Sequence, residues 1–450
     1  MNRREFIKFI AGGAAAVAVS NYGCSMGNSN SSSKGSERPN IILIMADDLG
    51  YGDISCYGSK KIKTPNIDTL AKGGMKFTDY HSNCPVCSPT RAALLTGRYQ
   101  QRAGIEGVIY AKNPARQTGM ALEEITFAEV LKGCGYVTGI FGKWHLGYKV
   151  EFNPAKQGFD EFRGYVSGNV DYHSHLDGAG IEDWWKNLEK VPEEGYCTDL
   201  ITKHGVDFVE RHKDEPFCLY LPYEAPHYPY QGRKDPPERF AGGKKGKKAQ
   251  GREITRAYKE MVEVMDEGIG RIVDTVKRLG LERKTFIFLC SDNGATKSGS
   301  NGALSGYKGS LWEGGHRVPA VASWPGKIMP GTITDQTVLG MDLFATLVSV
   351  AGTKLPPGLK LDGVDLLGML IKDKKLPERT LFWRYRNEKA VRKGPWKLLV
   401  QGKDVKLFNL DDDLAEKKNL AEAEPGKVKA LEAELSAWEQ EVSDGVKLRA

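Results

Sequence analysis

The stretch Pro39 to Asp53, PNIILIMADDLGYGD, decides the fold. Its apolar run from Ile41 to Ala46 is unbroken and ends abruptly in two acids, Asp47 and Asp48. Runs of this kind fit strands buried on both faces of a parallel sheet. The pattern recurs along the chain. TFIFLCSDNG carries a run from Thr285 to Cys290 into Asp292, Asn293 and Gly294. EPFCLYLPYEAPH leads into Pro226 and His227, and GYVTGIFGKWHLG into Lys143 and His145. Helical patterns such as LEEITFAEVLKGCG and ITRAYKEMVEVMDEGIGRIVDTVKRLG lie between them. Alternating strand and helix signals predict an α/β fold, with a large, mostly parallel sheet flanked by helices. Ligands of such sheets gather beyond the C-terminal ends of the strands. Here every such end carries a polar or charged cluster.

The tail follows another rule. LPERTLFWRYRNEKAVRKGPWKLLVQGKDVKLFNL alternates short β-prone runs with turn residues, as antiparallel strands do. EPGKVKALEAELSAWEQEV then reads as an amphipathic helix with Pro425 near its start. These signals divide the chain into a catalytic domain over 38–375 and a smaller C-terminal α+β subdomain over 376–450. No internal repeat is visible.

The first 37 residues belong to neither part. MNRREFIKFIAGGAAAVAVS pairs Arg3 with Arg4 and follows them with a short run rich in Gly and Ala. The run is short for a membrane span and reads as the h-region of a signal peptide over 1–24, of the twin-arginine type that exports folded proteins. An ordinary secretory signal is the alternative. Cys24 is a candidate lipid-anchor site, although NYG before it is a poor match to a lipidation signal. Residues 25–37 contain NSNSSSKGS and form a flexible tether. No later segment reaches 18 unbroken apolar residues, so the mature chain is expected in the periplasm or secreted, without a transmembrane span.

The whole chain of 450 residues is 40% hydrophobic and 27% charged, as a soluble globular protein is. Residues 1–24 hold three basic side chains and one acidic one, so the net charge of +7 falls to about +5 without them. A mild basic excess favours anionic partners. Export and the lack of a recognisable nucleic-acid module argue against nucleic acid. The excess is concentrated in AGGKKGKKAQGR, Ala241 to Arg252, which is either a solvated loop or a cationic rim.

Asp47, Asp48, Asp292 and Asn293 offer hard oxygen ligands, the preference of calcium rather than zinc. An acidic pair after a strand is often only a turn or a cap; two pairs at two strand ends point to one joint metal site. CPVCSPTRAALLTGRY, Cys84 to Tyr99, contains a C-x-x-C spacing that fits a redox pair or half a zinc site. The eight cysteines include no second C-x-x-C, which removes the zinc reading. Ser88 suits an N-cap, Pro89 the first helical position, and Gly97 a helix stop. Cys87 then lies just before a helix N-terminus, where backbone N–H groups favour anions. Arg91, Lys143 and Lys308 add cations, and His145 and His227 add proton carriers. Such a set suits a tetrahedral oxyanion ester.

CSPTRAALLTGR resembles the signature of the type I sulfatases, C-x-P-[ST]-R followed by T-G-R. ADDLGYGD, GKWHLG, PHYP, SDNG, KGSLWEGGHRVP and RKGPWKLL…LFNL appear in the family's order, so the resemblance covers Pro39 to Val442. It implies the alkaline-phosphatase-like fold and a cysteine, Cys87, oxidised after translation to formylglycine by a maturation enzyme. By the same resemblance the hydrate at Cys87 is both nucleophile and metal ligand, and Asp47, Asp48, Asp292 and Asn293 ligate one calcium. Arg91 and Lys143 hold the nucleophile, His145 assists the hydrate, and His227 and Lys308 contact sulfate and help protonate the leaving oxygen. His316 stands where the family usually has an aliphatic residue and is given no catalytic role.

An aldehyde has a chemical purpose here. A sulfated Cys or Ser would need a second attack to be released, whereas a geminal diol collapses to the aldehyde and expels sulfate by C–O cleavage. Two rivals remain at this point. A phosphoesterase of the same superfamily would carry Ser or Thr and two zinc ions. A non-catalytic binder of anionic glycans would have no reason to assemble a nucleophile, a metal cluster and an acid.

The substrate is the least legible part. GYVSGNVDYHSHLDG, Gly164 to Gly178, resembles a run in sulfatases acting on galactose-configured 4-sulfates. It implies that Asp171, Tyr172, His173 and His175 lie near the sugar; a polar loop with incidental histidines is the alternative. Export and the lysine run, Lys244 to Lys248, point to a polymer. The expected substrate is a galactose or N-acetylgalactosamine sulfate within a sulfated glycan such as a carrageenan or a chondroitin-type chain.

Overall fold

A computed structural model describes residues 38–444 and residue 446. The leader, the tether and Cys24 lie outside the described residues.

The strand Asn40–Ala46 sits inside a ten-stranded sheet. It pairs in parallel with Phe217–Pro222 on one side and Thr285–Ser291 on the other. Val137–Lys143 and Glu161–Tyr165 extend the parallel part. Ala320–Ser323 turns the opposite edge antiparallel. The apolar run splits with the period of two expected of a strand. Ile41, Leu43 and Met45 enter the core on one face; Ile42, Ile44 and Ala46 enter the other. Phe286 and Phe288 divide from Ile287 and Leu289 in the same way. Both faces are covered, which is why the run never alternates with polar residues.

The second face is covered by the helix Arg252–Arg278, 27 residues long, together with Cys197–Arg211 and Pro65–Lys72. On the first face Cys87–Thr96 contributes Leu94 and Leu95 to the core, beside Asp342–Val350.

Thr380–Tyr385, Glu388–Lys393, Trp396–Gln401 and Asp404–Asn409 form a separate four-stranded antiparallel sheet in consecutive order. Leu431, Leu435 and Trp438 of the helix Pro425–Ser443 pack on it. This small sheet is fused to the rest of the molecule through a shared core that includes Val86, Ala93, Tyr99 and Leu311. Trp383 donates its indole N–H to the Ser82 carbonyl at 2.9 Å. The loop bearing Lys308 is gripped as well. Ser305 donates to the Ala415 carbonyl at 2.6 Å, Leu311 N–H to Glu388 at 3.0 Å, and Glu313 N–H to Glu416 at 2.6 Å. Behind that loop the fully buried Lys397 ammonium bridges Glu313 at 2.9 Å and Glu416 at 2.7 Å.

Removing one partner of a buried ion pair strands the other charge, at a cost of about 3–5 kcal/mol. Lys397→Met leaves two buried carboxylates facing each other and is expected to lower unfolding stability by about that amount in denaturant titration. A loss below ~1 kcal/mol would show that the triad does not brace the loop.

Candidate active site

The parallel pairing runs in register, with Ala46 opposite Ser291, so the next residues of the two strands are Asp47 and Asp292. Asp47, Asp48, Asp292 and Asn293 therefore converge, all buried. Asp48 adopts a left-handed backbone (φ 67°), which is uncommon for a non-glycine residue and collects at functional sites. Its N–H donates to Asp292 Oδ1 at 3.3 Å, and Asn293 Nδ2 donates to its Oδ1 at 2.7 Å.

Three cations answer the three carboxylates. Arg91 donates to Asp292 Oδ2 at 2.8 and 3.2 Å and to the Lys143 carbonyl at 3.2 Å. Lys143 Nζ pairs with Asp47, and Lys308 Nζ lies 2.5 Å from Asp48 Oδ1. Burial pushes the Asp47 and Asp48 carboxyls up, but Lys143 in the first case and Lys308 in the second, with His227 in both, bring them below the ordinary value. Asp292 ends higher than usual, through burial and its neighbour Asp47. Burial acts most strongly on the Lys308 ammonium, yet the carboxylates around it, Asp48 foremost with Asp47 and Asp292, together outweigh it and keep it charged.

The helix that bears Cys87 starts two residues earlier than expected. Cys87 is its first residue, and Val86 occupies the N-cap position without a side-chain cap. Ser88 is not the cap; its hydroxyl accepts from Ile109 N–H at 3.2 Å. The helix N-terminus is thus left open towards the acid cluster and the cavity. Gly97 ends the helix in a left-handed conformation (φ 66°). Burial pushes the Cys87 thiol up in spite of Lys143 and Lys308, so the side chain is no thiolate. Cys84 is free and buried as well, and burial raises its thiol strongly. The C-x-x-C pair forms no disulfide.

Two histidines offer a nitrogen to the site. His145 Nε2 bonds the Ile109 carbonyl at 3.1 Å, which leaves the buried Nδ1 without a partner. Gly168 packs against that ring: a Cβ there would lie 2.6 Å from His145 Nε2. His227 Nδ1 bonds the Tyr228 carbonyl at 2.6 Å, and its Nε2 stands 3.8 Å from Asp48. Burial lowers both imidazoles, His145 most strongly.

The acid cluster suits a divalent cation. Asp47 Oδ1 and Asn293 Oδ1 are buried acceptors without a hydrogen bond, an expensive state for polar atoms unless something else binds them. Asp47, Asp48 and His227 can bring one ligand atom each within 4.8 Å of one another. Three carboxylates against three cations make the site formally neutral, so a dication would leave it positive, as an anionic ester requires. The donors closest to hand are oxygens, which favours a hard cation.

Cys87, His145, His227 and Lys308 line a cavity of about 920 Å³. The other wall comprises the segment Val108–Ala115, with Tyr110 and Lys112, and Tyr385 with Arg386 from the small sheet. Asp171, Tyr172, His173 and His175, expected at the sugar, are not among the lining residues. Asp171 is wholly buried and accepts from Glu238 N–H at 2.6 Å and Arg239 N–H at 3.0 Å. Tyr172 is wholly buried and donates to the His227 carbonyl at 3.0 Å. His173 Nε2 bonds the Gly232 carbonyl at 3.1 Å, and His175 stacks on Trp184 at 4.4 Å. This stretch therefore builds the frame beneath the cavity; its neighbours Asn169 and Gly178 are the ones exposed to it.

A family model described as sulfatase matches residues 39–353, and a second, described as N-sulphoglucosamine sulphohydrolase, C-terminal, matches 307–441. The chain belongs to the sulfatase family. It is accordingly a sulfuric ester hydrolase. The mouse (Mus musculus) protein N-acetylgalactosamine-6-sulfatase is 34% identical to this sulfatase over 387 residues, covering 80% of this chain and 71% of the relative. Human (Homo sapiens) arylsulfatase A is 35% identical over 400 residues, covering 80% and 74%. Among solved structures, that of Ps i-CgsB in complex with k-i-k-neocarrahexaose superposes with a TM-score of 0.81 at 31% identity, over 92% of this chain and 94% of the other.

Burial holds His175 at about 4, below the 6.5 of a free imidazole. Between these values the unfolded chain binds a proton that the native sulfatase refuses, so stability rises with pH across the window. His175→Phe keeps the stack on Trp184 and removes the titration. Its stability–pH curve should be flatter than the wild type's between about pH 4 and 6.5, by up to ~1.4 kcal/mol per pH unit. Parallel curves would place the acid sensitivity elsewhere.

Proposed function

We propose that this sulfatase removes sulfate from galactose or N-acetylgalactosamine residues of a sulfated polysaccharide, with a formylglycine made from Cys87 and one calcium ion. The observation that carries the reading is Cys87 itself. Its buried, protonated thiol opens a helix at the base of a large cavity, beside an oxygen-rich cluster with orphaned acceptors. A thiol in that state is a poor nucleophile, whereas a hydrated aldehyde supplies both an attacking hydroxyl and a second one for releasing sulfate. Asp47, Asp48, Asp292 and Asn293, with residue 87, would hold the calcium, which when bound neutralises sulfate charge and lowers the pKa of a nearby hydroxyl.

The chain's own groups then take defined parts. Arg91 clamps Asp292 and, through the Lys143 carbonyl, fixes the strand end from which Lys143 projects. Lys143 and Lys308 hold negative charge in place, and Lys308 reaches the sulfate from the cavity side. His145 accepts a proton at Nδ1 from the group at position 87. His227 in its imidazolium form, which Asp47 and Asp48 favour, donates a proton from Nε2 to the leaving sugar oxygen.

The sugar assignment draws on the relatives, one named for N-acetylgalactosamine and one solved with a neocarrahexaose. A cavity of about 920 Å³ also exceeds what a lone aryl sulfate needs. Two partners follow: a sulfated glycan, and the enzyme that matures Cys87. The opening residues, with Arg3 and Arg4, make the protein an exported one, in the periplasm or secreted.

Cys87→Ala is expected to keep the fold and lose sulfate-ester hydrolysis, and intact mass should show the thiol-to-aldehyde loss at Cys87 in active wild type only. Turnover by purified Cys87→Ala would overturn the nucleophile. Chelation should abolish activity and calcium restore it; rescue by zinc but by neither calcium nor magnesium would overturn the ligand set. On a panel of sulfated sugars, galactose-configured substrates should exceed glucosamine sulfates and aryl sulfates. Activity confined to the latter two would refute the sugar class.

A further inference from the structure

A second cavity of about 450 Å³ adjoins the active-site cavity, the two sharing Lys112, Asn169 and Gly178 in their linings. The far side of this second space carries Lys244, Lys245 and Lys248. All four lysines of the run are exposed; Lys247 turns away to pair with Glu253 at 3.4 Å, whereas the other three line this cavity. Lys112, Lys244 and Lys245 form no ion pair among the described residues.

The floor between the two spaces is ordered by Arg239. Its guanidinium donates to the carbonyls of Asn169 at 3.3 Å and Leu176 at 3.0 Å and to the Asn169 side chain. It also lies 5.7 Å from the Tyr228 ring, and Lys248 Nζ lies 5.6 Å from the same ring. Tyr228 is 36% exposed, an unusual state for an aromatic ring flanked by two cations. The acid in this lining, Glu238, accepts from Ala249 N–H at 3.1 Å and so steadies the lysine loop. What remains is a concave, positively charged space with an aromatic wall, next to the active-site cavity.

We propose that this second cavity binds a sulfate group on a sugar adjacent to the one being desulfated, so that the enzyme reads two neighbouring sulfated sugars of one chain. The proposal rests on the reading of the protein as a glycan sulfatase and adds to it a determinant outside the catalytic residues. Several flexible ammonium groups suit a sulfate whose orientation varies between glycans, while Tyr228 offers a face to the sugar ring. Exposed ion pairs are individually weak, so the effect requires the cluster rather than one lysine.

The test compares two galactose-based oligosaccharides that share the same scissile sulfate, one of which carries a second sulfate on the adjacent residue. In the wild type the doubly sulfated chain is expected to have a kcat/KM at least tenfold higher at low salt, about 1.4 kcal/mol, with the advantage falling as salt rises. In the triple variant Lys244→Ala/Lys245→Ala/Lys248→Ala the ratio should fall to about one, with the singly sulfated chain unchanged within twofold. A ratio that survives the triple variant overturns the proposal, as does an equal loss on both substrates. An equal gain from a carboxylate in place of the second sulfate overturns sulfate as the group recognised. If neither oligosaccharide is hydrolysed, the sugar class proposed above fails separately. The subsite is then read by calorimetric titration of Cys87→Ala protein with the same pair. Tighter binding of the doubly sulfated chain, lost in the triple variant, supports it, and equal affinities overturn it.

Discussion

Burying three carboxylates side by side is the constraint on which the rest of this molecule depends. In-register pairing of Asn40–Ala46 with Thr285–Ser291 leaves Asp47, Asp48 and Asp292 no distance to retreat. Like charges at that range inside a protein are tolerable only when compensated. Arg91, Lys143 and Lys308 supply the compensation from a helix, a neighbouring strand and a loop, so three separate parts of the chain must arrive at one place. Even then two acceptor atoms stay unsatisfied, and that residual deficit is what suits a cation.

The demand propagates outward. Arg91 reaches Asp292 from the second turn of the helix that begins at Cys87, whose N-terminus has no side-chain cap. Lys308 sits on a loop with little regular structure of its own, so its position is borrowed from the small antiparallel sheet. Glu388, Glu416 and Lys397 hold the segment from Leu311 to Glu313, and Ser305 is tied to Ala415. The same sheet sends Tyr385 and Arg386 to the cavity wall. What reads in the chain as an appendage is therefore part of the frame of the candidate site, because a charge placed opposite Asp48 needs a rigid support behind it.

Prediction from sequence was most accurate where chemistry and local geometry coincide. A both-faces-buried strand must be continuously apolar and must end where polar groups can serve a site, so Asp47, Asp292, Lys143 and His227 could be read from the runs before them. It failed where a residue's neighbours come from elsewhere. Asp171, Tyr172, His173 and His175 look like a polar recognition loop along the chain, but the turns from Gly232 to Arg239 bond Asp171 and His173, while Tyr172 is tied to His227 and His175 to Trp184. His81 gave no signal at all. It lies 2.9 Å from His316, nitrogen to nitrogen, in a buried network with Asp79 and Arg392 that forms only where the four-stranded sheet meets the rest of the molecule. Arg386 and Tyr110 were equally silent, since a hairpin tip and a loop acquire meaning only when they face the same space.

By itself the sequence determined the fold class and the strand ends at which polar and charged residues gather. Each of these follows from residue type and spacing along a few consecutive positions. The tertiary structure alone decided which polar residues face the cavity and which lie beneath it. It also decided that the C-terminal sheet braces the loop of Lys308, and that three lysines of one polar run line a space adjoining the active-site cavity. The physical reason is one of range: periodicity and capping act over a turn or two of chain. Burial, charge compensation and the shape of a cavity, by contrast, are set by segments that lie hundreds of residues apart in sequence.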